Sequence, residues 1–116
     1  MRTSGLSRIG IAAAIMLCGA PTAQAQPAPD TRAGSVWDRL AQCESGGNWA
    51  INSGNGYYGG LQYNRGTWVS HGGSDFAAYP HRASREEQIS VATSLRDARG
   101  GYGAWPACAR QLGLPR

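Results

Sequence analysis

Residues 36–47 read VWDRLAQCESGG, a stretch in which apolar side chains recur at helical spacing and an acidic side chain follows them. Ser35 stands where an N-cap is expected, and the pair Gly46-Gly47 is typical of a helix end. Side chains three, four and seven residues apart lie on one helical face, and here these are Trp37, Leu40, Ala41 and Glu44. The pattern therefore predicts a helix from Val36 to Glu44 whose last carboxyl lies along an apolar stripe.

Glu44 is the first candidate for a catalytic group. It stands at the C-terminal end of the helix, where the macrodipole is negative, and beside apolar neighbours that keep water away. Both effects raise the pKa of a carboxyl, and a raised pKa lets a general acid keep its proton near neutral pH. The alternative is a solvent-facing glutamate at a frayed helix end. The aromatic and glycine residues that follow favour the catalytic interpretation.

The residues after this helix, Asn48 to Tyr63, are rich in glycine, asparagine and aromatic side chains. Asn55-Gly56 is a strong tight-turn signal, and we expect a short irregular hairpin around it. Aromatic faces beside amide groups are typical of sugar-binding sites, so we assign Tyr57 to such a site. For Trp37 and Trp105 we favour packing in the core.

Three more helices are expected after the hairpin, each marked by a capping or proline signal. They are a short helix capped by Asn64, a longer one opened by a capping box at Ser84 and Glu87 and ending near Gly100, and a last short one that begins at Pro106 and carries Cys108. The segment from Ser74 to Arg82 is expected to be a loop. The predicted fold class is therefore α+β, mostly helical, with a small β element after the first helix.

The first 25 residues have the organisation of a secretory signal. Arg2 and Arg8 supply positive charge before the apolar run Ile9–Leu17. Ala23-Gln24-Ala25 offers a cleavage site after its last residue. Residues 26–34 are predicted to be a short linker rich in proline and alanine, and residues 35–116 one domain. A retained membrane anchor and a lipid-modified Cys18 are the alternatives. The leucine before Cys18 disfavours the second, because a lipobox needs a small residue there.

The exported part keeps two cysteines, Cys43 and Cys108. An even count in a small exported domain indicates one disulfide, whose long loop stabilises the fold by about 4 kcal/mol in chain-entropy reasoning. Two free thiols or a shared metal ion are the alternatives. Neither cysteine has another cysteine or a histidine at ligand spacing, so no metal and no organic cofactor is predicted.

Removal of the signal lowers the formal net charge from +4 to +2. A mildly basic exported protein is attracted to an anionic cell wall, although so small a charge is equally consistent with solubility alone. No cluster of basic residues is present in the sequence, which argues against nucleic-acid binding. His71 and His81 accompany no serine or cysteine in a nucleophile pattern, so a hydrolytic triad is not indicated.

A glycosidase that uses two carboxylates would need a partner for Glu44. Asp38 falls roughly on the opposite face of the first helix, and Asp75 lies in a loop where the sequence does not fix its position. Three more acidic residues belong to an ordinary solvated helix, namely Glu86, Glu87 and Asp97. The sequence therefore favours a mechanism with one acid, while assistance by Asp75 stays open.

Several ordered motifs resemble the resuscitation-promoting factor domain of bacteria. Residues 37–49, WDRLAQCESGGNW, are similar to the start of that domain, and residues 52–62, NSGNGYYGGLQ, to the part that follows. The similarity continues through three shorter motifs, residues 66–68, 85–89 and 103–108, and extends in all from Val36 to Leu114.

The resemblance implies a small lysozyme-like fold, related to c-type lysozymes and soluble lytic transglycosylases, with one disulfide between Cys43 and Cys108. It implies secretion, action on the peptidoglycan of the bacterium itself, stimulation of growth from dormancy, and a cell-wall endopeptidase as a protein partner. It also implies that Glu44, in the Cys-Glu-Ser motif, is catalytic. The substrate cleft that it implies includes Asn55, Tyr57, Gln62 and Thr67.

We therefore expect a secreted, monomeric enzyme, extracellular or associated with the cell wall, that cleaves the β-1,4 bond between N-acetylmuramic acid and N-acetylglucosamine. Glu44 protonates the leaving oxygen, and either the muramoyl 6-hydroxyl or water completes the reaction. One alternative is a peptidoglycan-binding or signalling module that uses the same cleft without turnover, which an acid on an apolar face disfavours. The other is a small secreted inhibitor or toxin scaffold, which the single disulfide and the glycine-lined loop disfavour.

Overall fold

Four α-helices and two 3₁₀ turns make up the regular structure of residues 31–116, the part of the chain that the computed structural model describes. In chain order they are α1 (Val36–Ser45), α2 (Arg65–Ser70), the 3₁₀ turns Gly73–Asp75 and Pro80–Arg82, α3 (Arg85–Arg99) and α4 (Pro106–Leu112). The four helices and the mostly helical class are as predicted. The predicted signal, residues 1–25, and residues 26–30 of the predicted linker lie outside the described residues. Between residues 31 and 116, no helix is long and apolar enough to cross a membrane.

The hydrophobic core collects the buried faces of α1 and α3 and the aromatic side chains around them. Its members on the two helices include Trp37, Leu40, Ile89, Ala92 and Leu95. Trp37 is fully buried, and its ring centre lies 5.4 Å from those of both Tyr102 and Trp105. Tilted and edge-on aromatic pairs at such distances add about 0.5–1.5 kcal/mol each to the effect of burial. The apolar stripe predicted on α1 is therefore a core-facing stripe.

Two helix starts have the capping hydrogen bonds that the sequence predicts. At α3, Ser84 Oγ accepts from the Glu87 amide at 3.0 Å, and Glu87 Oε1 accepts from the Ser84 amide at 2.9 Å. At α2, Asn64 Oδ1 accepts from the Thr67 amide at 2.8 Å. Each bond satisfies an amide that the helix itself leaves without a partner.

The start of α1 differs from the prediction. Ser35 occupies the N-cap position, but its hydroxyl accepts no hydrogen bond from the helix backbone. The Asp38 carboxylate instead accepts from the Gly34 amide at 2.7 Å and is held by the Arg85 guanidinium through two bonds of 2.9 Å. Arg85 also donates to the carbonyl oxygens of residues 31 and 32. This one side chain therefore fastens the end of the predicted linker to both α1 and α3.

The predicted hairpin is only partly formed. Tyr58 makes isolated antiparallel bridges to Asn52 and Tyr63, and no continuous strand forms within the described residues. Here a backbone amide donates to a side chain, whereas the amide of a strand would donate to the backbone of the neighbouring strand. The Gly60 amide, for example, donates to Gln88 Oε1 at 2.9 Å. The β element is therefore a loop pinned to α3, smaller than expected.

Residues 74–82, predicted to be a loop, are more ordered than expected and include parts of both 3₁₀ turns. Two side chains of α2 bond the backbone of this segment. Trp68 Nε1 donates to the Ala77 carbonyl at 2.8 Å, and Arg65 Nε donates to the Ala78 carbonyl at 3.1 Å. Gly73 packs so closely on the Trp68 ring that a Cβ atom there would overlap it.

A disulfide joins Cys43 in the last turn of α1 to Cys108 in α4, with the two Cα atoms 5.8 Å apart. The disulfide predicted from the cysteine count is confirmed. It holds the C-terminal end of α1 against α4 and so fixes where Glu44 lies relative to the first turn of α4.

Candidate active site

Glu44 lies in the last turn of α1 and is half-buried. No group in residues 31–116 donates a hydrogen bond to its carboxyl, and desolvation by burial raises its pKa above the ordinary value. A carboxylate without donors has nothing to offset the loss of water, so the neutral form is favoured. The predicted direction of the shift is confirmed, and burial is its cause.

A groove of about 300 Å³ opens at Glu44. We call it the Glu44 groove, and its lining residues are Glu44, Tyr57, Gln62, Ala104, Trp105, Pro106 and Ala107. A further hollow of about 160 Å³ shares Tyr57, Gln62 and Trp105 with it and reaches Thr67 and Arg99. Three of the four predicted cleft residues thus line one continuous surface that begins at Glu44.

Asn55 is the predicted cleft residue that lines neither part of the groove. Its Oδ1 accepts from the Tyr57 amide at 3.0 Å, a side-chain turn of the kind that asparagine favours. Tyr57 itself is 47% exposed, which leaves about half of its surface available to a ligand. In the structure Asn55 therefore holds the backbone of Tyr57 and does not itself line the groove.

Gln62 has a left-handed backbone, with φ of 55°, and is the one described residue other than glycine in that region. Its Nε2 donates to the Gly59 carbonyl at 3.0 Å, and its Oε1 has no partner among the described residues. A side chain in this backbone region costs about 1–2 kcal/mol. The loop holds Gln62 in this strained conformation, and the Gln62 amide oxygen is available at the groove.

Trp105 was assigned to the core, and it belongs to both the core and the groove. It is only 3% exposed, and its Nε1 donates to the Leu61 carbonyl at 3.0 Å. Its remaining surface lines both parts of the groove. This role, and the neighbouring wall from Pro106 and Ala107, are not predicted from the sequence, because a buried tryptophan can also line a groove with the little surface that it leaves exposed.

Gln88 is fully buried and is the positioning residue that the sequence analysis missed. Its Oε1 accepts from the Gly60 amide, and its Nε2 donates to the carbonyl oxygens of Trp49 at 2.8 Å and Ala83 at 3.0 Å. It thereby ties α3 to the loop that carries Gln62. A signal was present, because Gln88 stands three and four residues before apolar core positions of α3.

The other acidic side chains of the described residues do not line the groove. Asp38 and Glu86 bond to Arg85, Glu87 closes the capping box, and Asp97 pairs with Arg96. Asp75 is exposed in its 3₁₀ turn. Within residues 31–116, no three His, Cys, Asp or Glu side chains lie together in a way that could hold a metal ion. The arrangement supports acid catalysis by one carboxyl.

The region that matches known proteins contains every residue that lines the Glu44 groove. Residues 31–108 match the family model described as Transglycosylase-like domain. Over 105 residues the chain is 57% identical to resuscitation-promoting factor Rpf1 of Corynebacterium glutamicum, which covers 90% of this chain and 49% of that protein. Over 106 residues it is 47% identical to resuscitation-promoting factor RpfC of Mycobacterium tuberculosis, covering 91% and 69%. The chain belongs to the resuscitation-promoting factor family.

A third resuscitation-promoting factor, Rpf of Micrococcus luteus, is 45% identical over 104 residues, covering 90% of this chain and 45% of that protein. The chain thus spans about half the length of Rpf1 and of the Micrococcus protein. The lining of the Glu44 groove runs from residue 44 to residue 107 and lies inside the matched region.

Proposed function

We propose that this protein is a secreted or wall-associated enzyme that cleaves peptidoglycan glycan strands between N-acetylmuramic acid and N-acetylglucosamine and so promotes growth from dormancy. One observation carries the proposal above the others: Glu44 is half-buried, has no hydrogen-bond donor among the described residues, and faces an open groove. A sugar-binding module gains nothing from a carboxyl whose pKa is raised by burial, whereas a raised pKa helps a general acid to keep its proton. Membership of the resuscitation-promoting factor family supports the same substrate.

The reaction needs one proton and one nucleophile. Glu44 donates its proton to the glycosidic oxygen as the bond from that oxygen to C1 of muramic acid breaks, and the acetamido carbonyl of the same sugar stabilises the cation. The Glu44 carboxylate then takes a proton from the group that attacks C1. The muramoyl 6-hydroxyl gives an anhydro sugar, and water gives a reducing end. These products differ by one water molecule, so mass spectrometry of the digest assigns the reaction type.

The other groove residues position the strand. Tyr57 offers an exposed ring to a sugar face, and Gln62 Oε1 accepts from a hydroxyl or acetamido N–H group. Thr67 lies at the far end of the groove and contacts a more distant sugar. Asn55 acts through Tyr57, whose backbone it holds.

The test of this function compares the protein with Glu44→Gln on purified cell walls. Gln keeps the size of the side chain and removes the titrating proton, so the variant should fold normally and release soluble fragments at least about a hundredfold more slowly. Retained wall binding without turnover in the variant alone supports the enzyme. Binding without turnover in both proteins would establish the binding-module alternative, and equal lysis by both would refute the role of Glu44.

Secretion, the monomeric state and the endopeptidase partner stay predictions. N-terminal sequencing of exported protein should begin at Gln26, light scattering should give the mass of one chain, and affinity capture from the cell envelope should recover a peptidase that cuts stem peptides.

A further inference from the structure

A second pocket of about 240 Å³ lies away from the Glu44 groove and shares no lining residue with it. We call it the Tyr58 pocket, and its lining residues are Asn52, Tyr58, Tyr79, His81 and Arg82. Tyr57 lines the Glu44 groove and Tyr58 lines this pocket, although they are neighbours in sequence. Successive side chains of an extended chain face opposite sides, and the bridges of Tyr58 show that the chain is extended here. The two sites therefore lie on opposite sides of one thin loop.

The wall of the Tyr58 pocket is aromatic. The His81 ring stacks on Tyr58, with centres 5.3 Å apart and planes 23° from parallel, and Tyr79 meets Tyr58 edge-on at 5.2 Å. The Arg65 guanidinium lies 4.8 Å from the centre of the Tyr79 ring. The stack fixes the orientation of all three rings, so the wall is preformed.

The pocket also has polar groups that the described residues leave unsatisfied. His81 Nδ1 is buried and has no hydrogen-bond partner within residues 31–116. Arg82 is exposed and makes no ion pair with that part of the chain, and none of the lining residues is acidic. The side chains of Arg82, His81 and Asn52 thus line one hollow that has no acidic residue in its wall. Such a donor set recognises a carboxylate or phosphate, and the aromatic wall favours an organic group beside that anion.

We propose that the Tyr58 pocket binds the free terminal carboxylate of a peptide stem attached to the muramic acid of a strand held in the Glu44 groove. This inference rests on the proposed function. An extended peptide spans about 3.3–3.6 Å per residue, so a stem of four residues reaches about 13 Å from the muramic acid that carries it. A volume near 240 Å³ accommodates one terminal residue. The enzyme thereby prefers strands whose stems end in a free carboxylate over strands whose stem carboxylate is bound in a cross-link.

The test titrates the isotope-labelled protein with the soluble tetrapeptide L-Ala-γ-D-Glu-L-Lys-D-Ala, followed by chemical shifts. The expected result is saturable perturbation of Tyr58, Tyr79 and His81, with Tyr57 and Gln62 unmoved. The same peptide with a C-terminal amide should bind about tenfold more weakly, since it loses one charge-assisted contact. Arg82→Gln should weaken binding of the acid peptide by a similar factor. Arg110→Gln, which removes another exposed charge, on α4, should bind as the unchanged protein does.

Equal binding of acid and amide peptides, or perturbation centred on Tyr57 and Gln62, would overturn the inference. Inorganic phosphate is the third ligand, and perturbation by phosphate as strong as by the peptide would show a general anion site and reject the peptide. Binding of a free peptide needs no bond cleavage, so the outcome does not depend on lysis. If neither the protein nor Glu44→Gln lyses walls while the peptide binds here, the proposed function fails and this pocket stands.

Discussion

At the scale of single residues, two residues in the groove are held in states that are unfavourable for the isolated residue. Glu44 is buried without a donor, and Gln62 has a left-handed backbone. Both states are unfavourable, and the fold maintains them because the core and the disulfide fix the segments that carry them. Unfavourable states of this kind concentrate at functional sites.

The first residue-scale prediction concerns the pH dependence of folding. Folded Glu44 has a raised pKa, so between its ordinary pKa and its raised pKa the folded chain binds more protons than the unfolded chain. The stability that Glu44 contributes is full below the ordinary pKa and is lost as pH rises through the raised pKa. Chemical denaturation of the wild type across this interval should show that loss, and Glu44→Gln should not.

The same titration governs activity, because only protonated Glu44 can donate to the leaving oxygen. Lysis should therefore fall as pH rises through the pKa of folded Glu44. If the wild type and Glu44→Gln show identical pH dependence of unfolding free energy, Glu44 is an ordinary exposed carboxylate and the acid mechanism loses its physical basis.

The second residue-scale prediction separates strain from binding at Gln62. Gln62→Ala and Gln62→Gly both remove the amide, but only glycine adopts φ of 55° without cost. Gln62→Gly should therefore be more stable than Gln62→Ala by about 1 kcal/mol in urea denaturation, while both lose lysis to a similar extent. Equal stabilities would show that the left-handed backbone is not strained, and unimpaired lysis would remove Gln62 from the substrate site.

At the scale of elements, the sequence predicts most where a local rule acts alone. The capping box at Ser84, the Asn64 cap and the proline at the start of α4 are local signals, and each helix begins where they indicate. Prediction is weaker where a distant side chain decides. In the β element the Gly60 amide donates to Gln88, and at the start of α1 the Asp38 carboxylate, held by Arg85, accepts from the Gly34 amide while Ser35 makes no cap.

The candidate site shows the same division. Helical spacing and apolar neighbours identify Glu44, and the turn chemistry around Asn55 points to Tyr57. The wall of the groove comes from Trp105 and the first turn of α4, which the disulfide brings beside Glu44. No local pattern in residues 104–107 indicates this, because their role depends on where α4 packs.

The element-scale prediction concerns the link between α3 and the groove loop. Gln88→Leu conserves approximate volume but leaves the Gly60 amide and the carbonyl oxygens of Trp49 and Ala83 without partners. Each buried unpaired group costs about 1–3 kcal/mol, so the variant should lose about 3 kcal/mol or more in urea denaturation. Lysis should also fall in conditions where the variant is fully folded, because the loop that carries Gln62 is released.

The matched control is Gln111→Leu, an exposed glutamine on α4 that should change the unfolding free energy by less than about 0.5 kcal/mol. If Gln88→Leu is as stable as this control, the three hydrogen bonds to Gln88 contribute nothing net, and α3 does not hold the loop in place.

At the scale of the whole molecule, the disulfide connects stability with the site. A domain of this size has a small core and needs an additional constraint. The Cys43–Cys108 bond supplies it, with 65 residues of sequence separation between its ends. The same bond lies one residue from Glu44 and within the helix that supplies Pro106 and Ala107 to the groove. One covalent link therefore supports the fold and holds α4 beside Glu44.

The last prediction tests both roles of that link with the double variant Cys43→Ser, Cys108→Ser. A loop of this length predicts a loss of about 4 kcal/mol in unfolding free energy. Where the variant is still folded, α4 is free to move from the end of α1, and water reaches Glu44. The raised pKa of Glu44 then falls towards its ordinary value, so the alkaline fall of the remaining lysis should move to lower pH. Reduction of the wild type by a thiol should give the same displacement, which excludes an effect of the serines. A loss of stability with an unchanged pH profile would show that the disulfide only stabilises the fold and that the core by itself excludes water from Glu44.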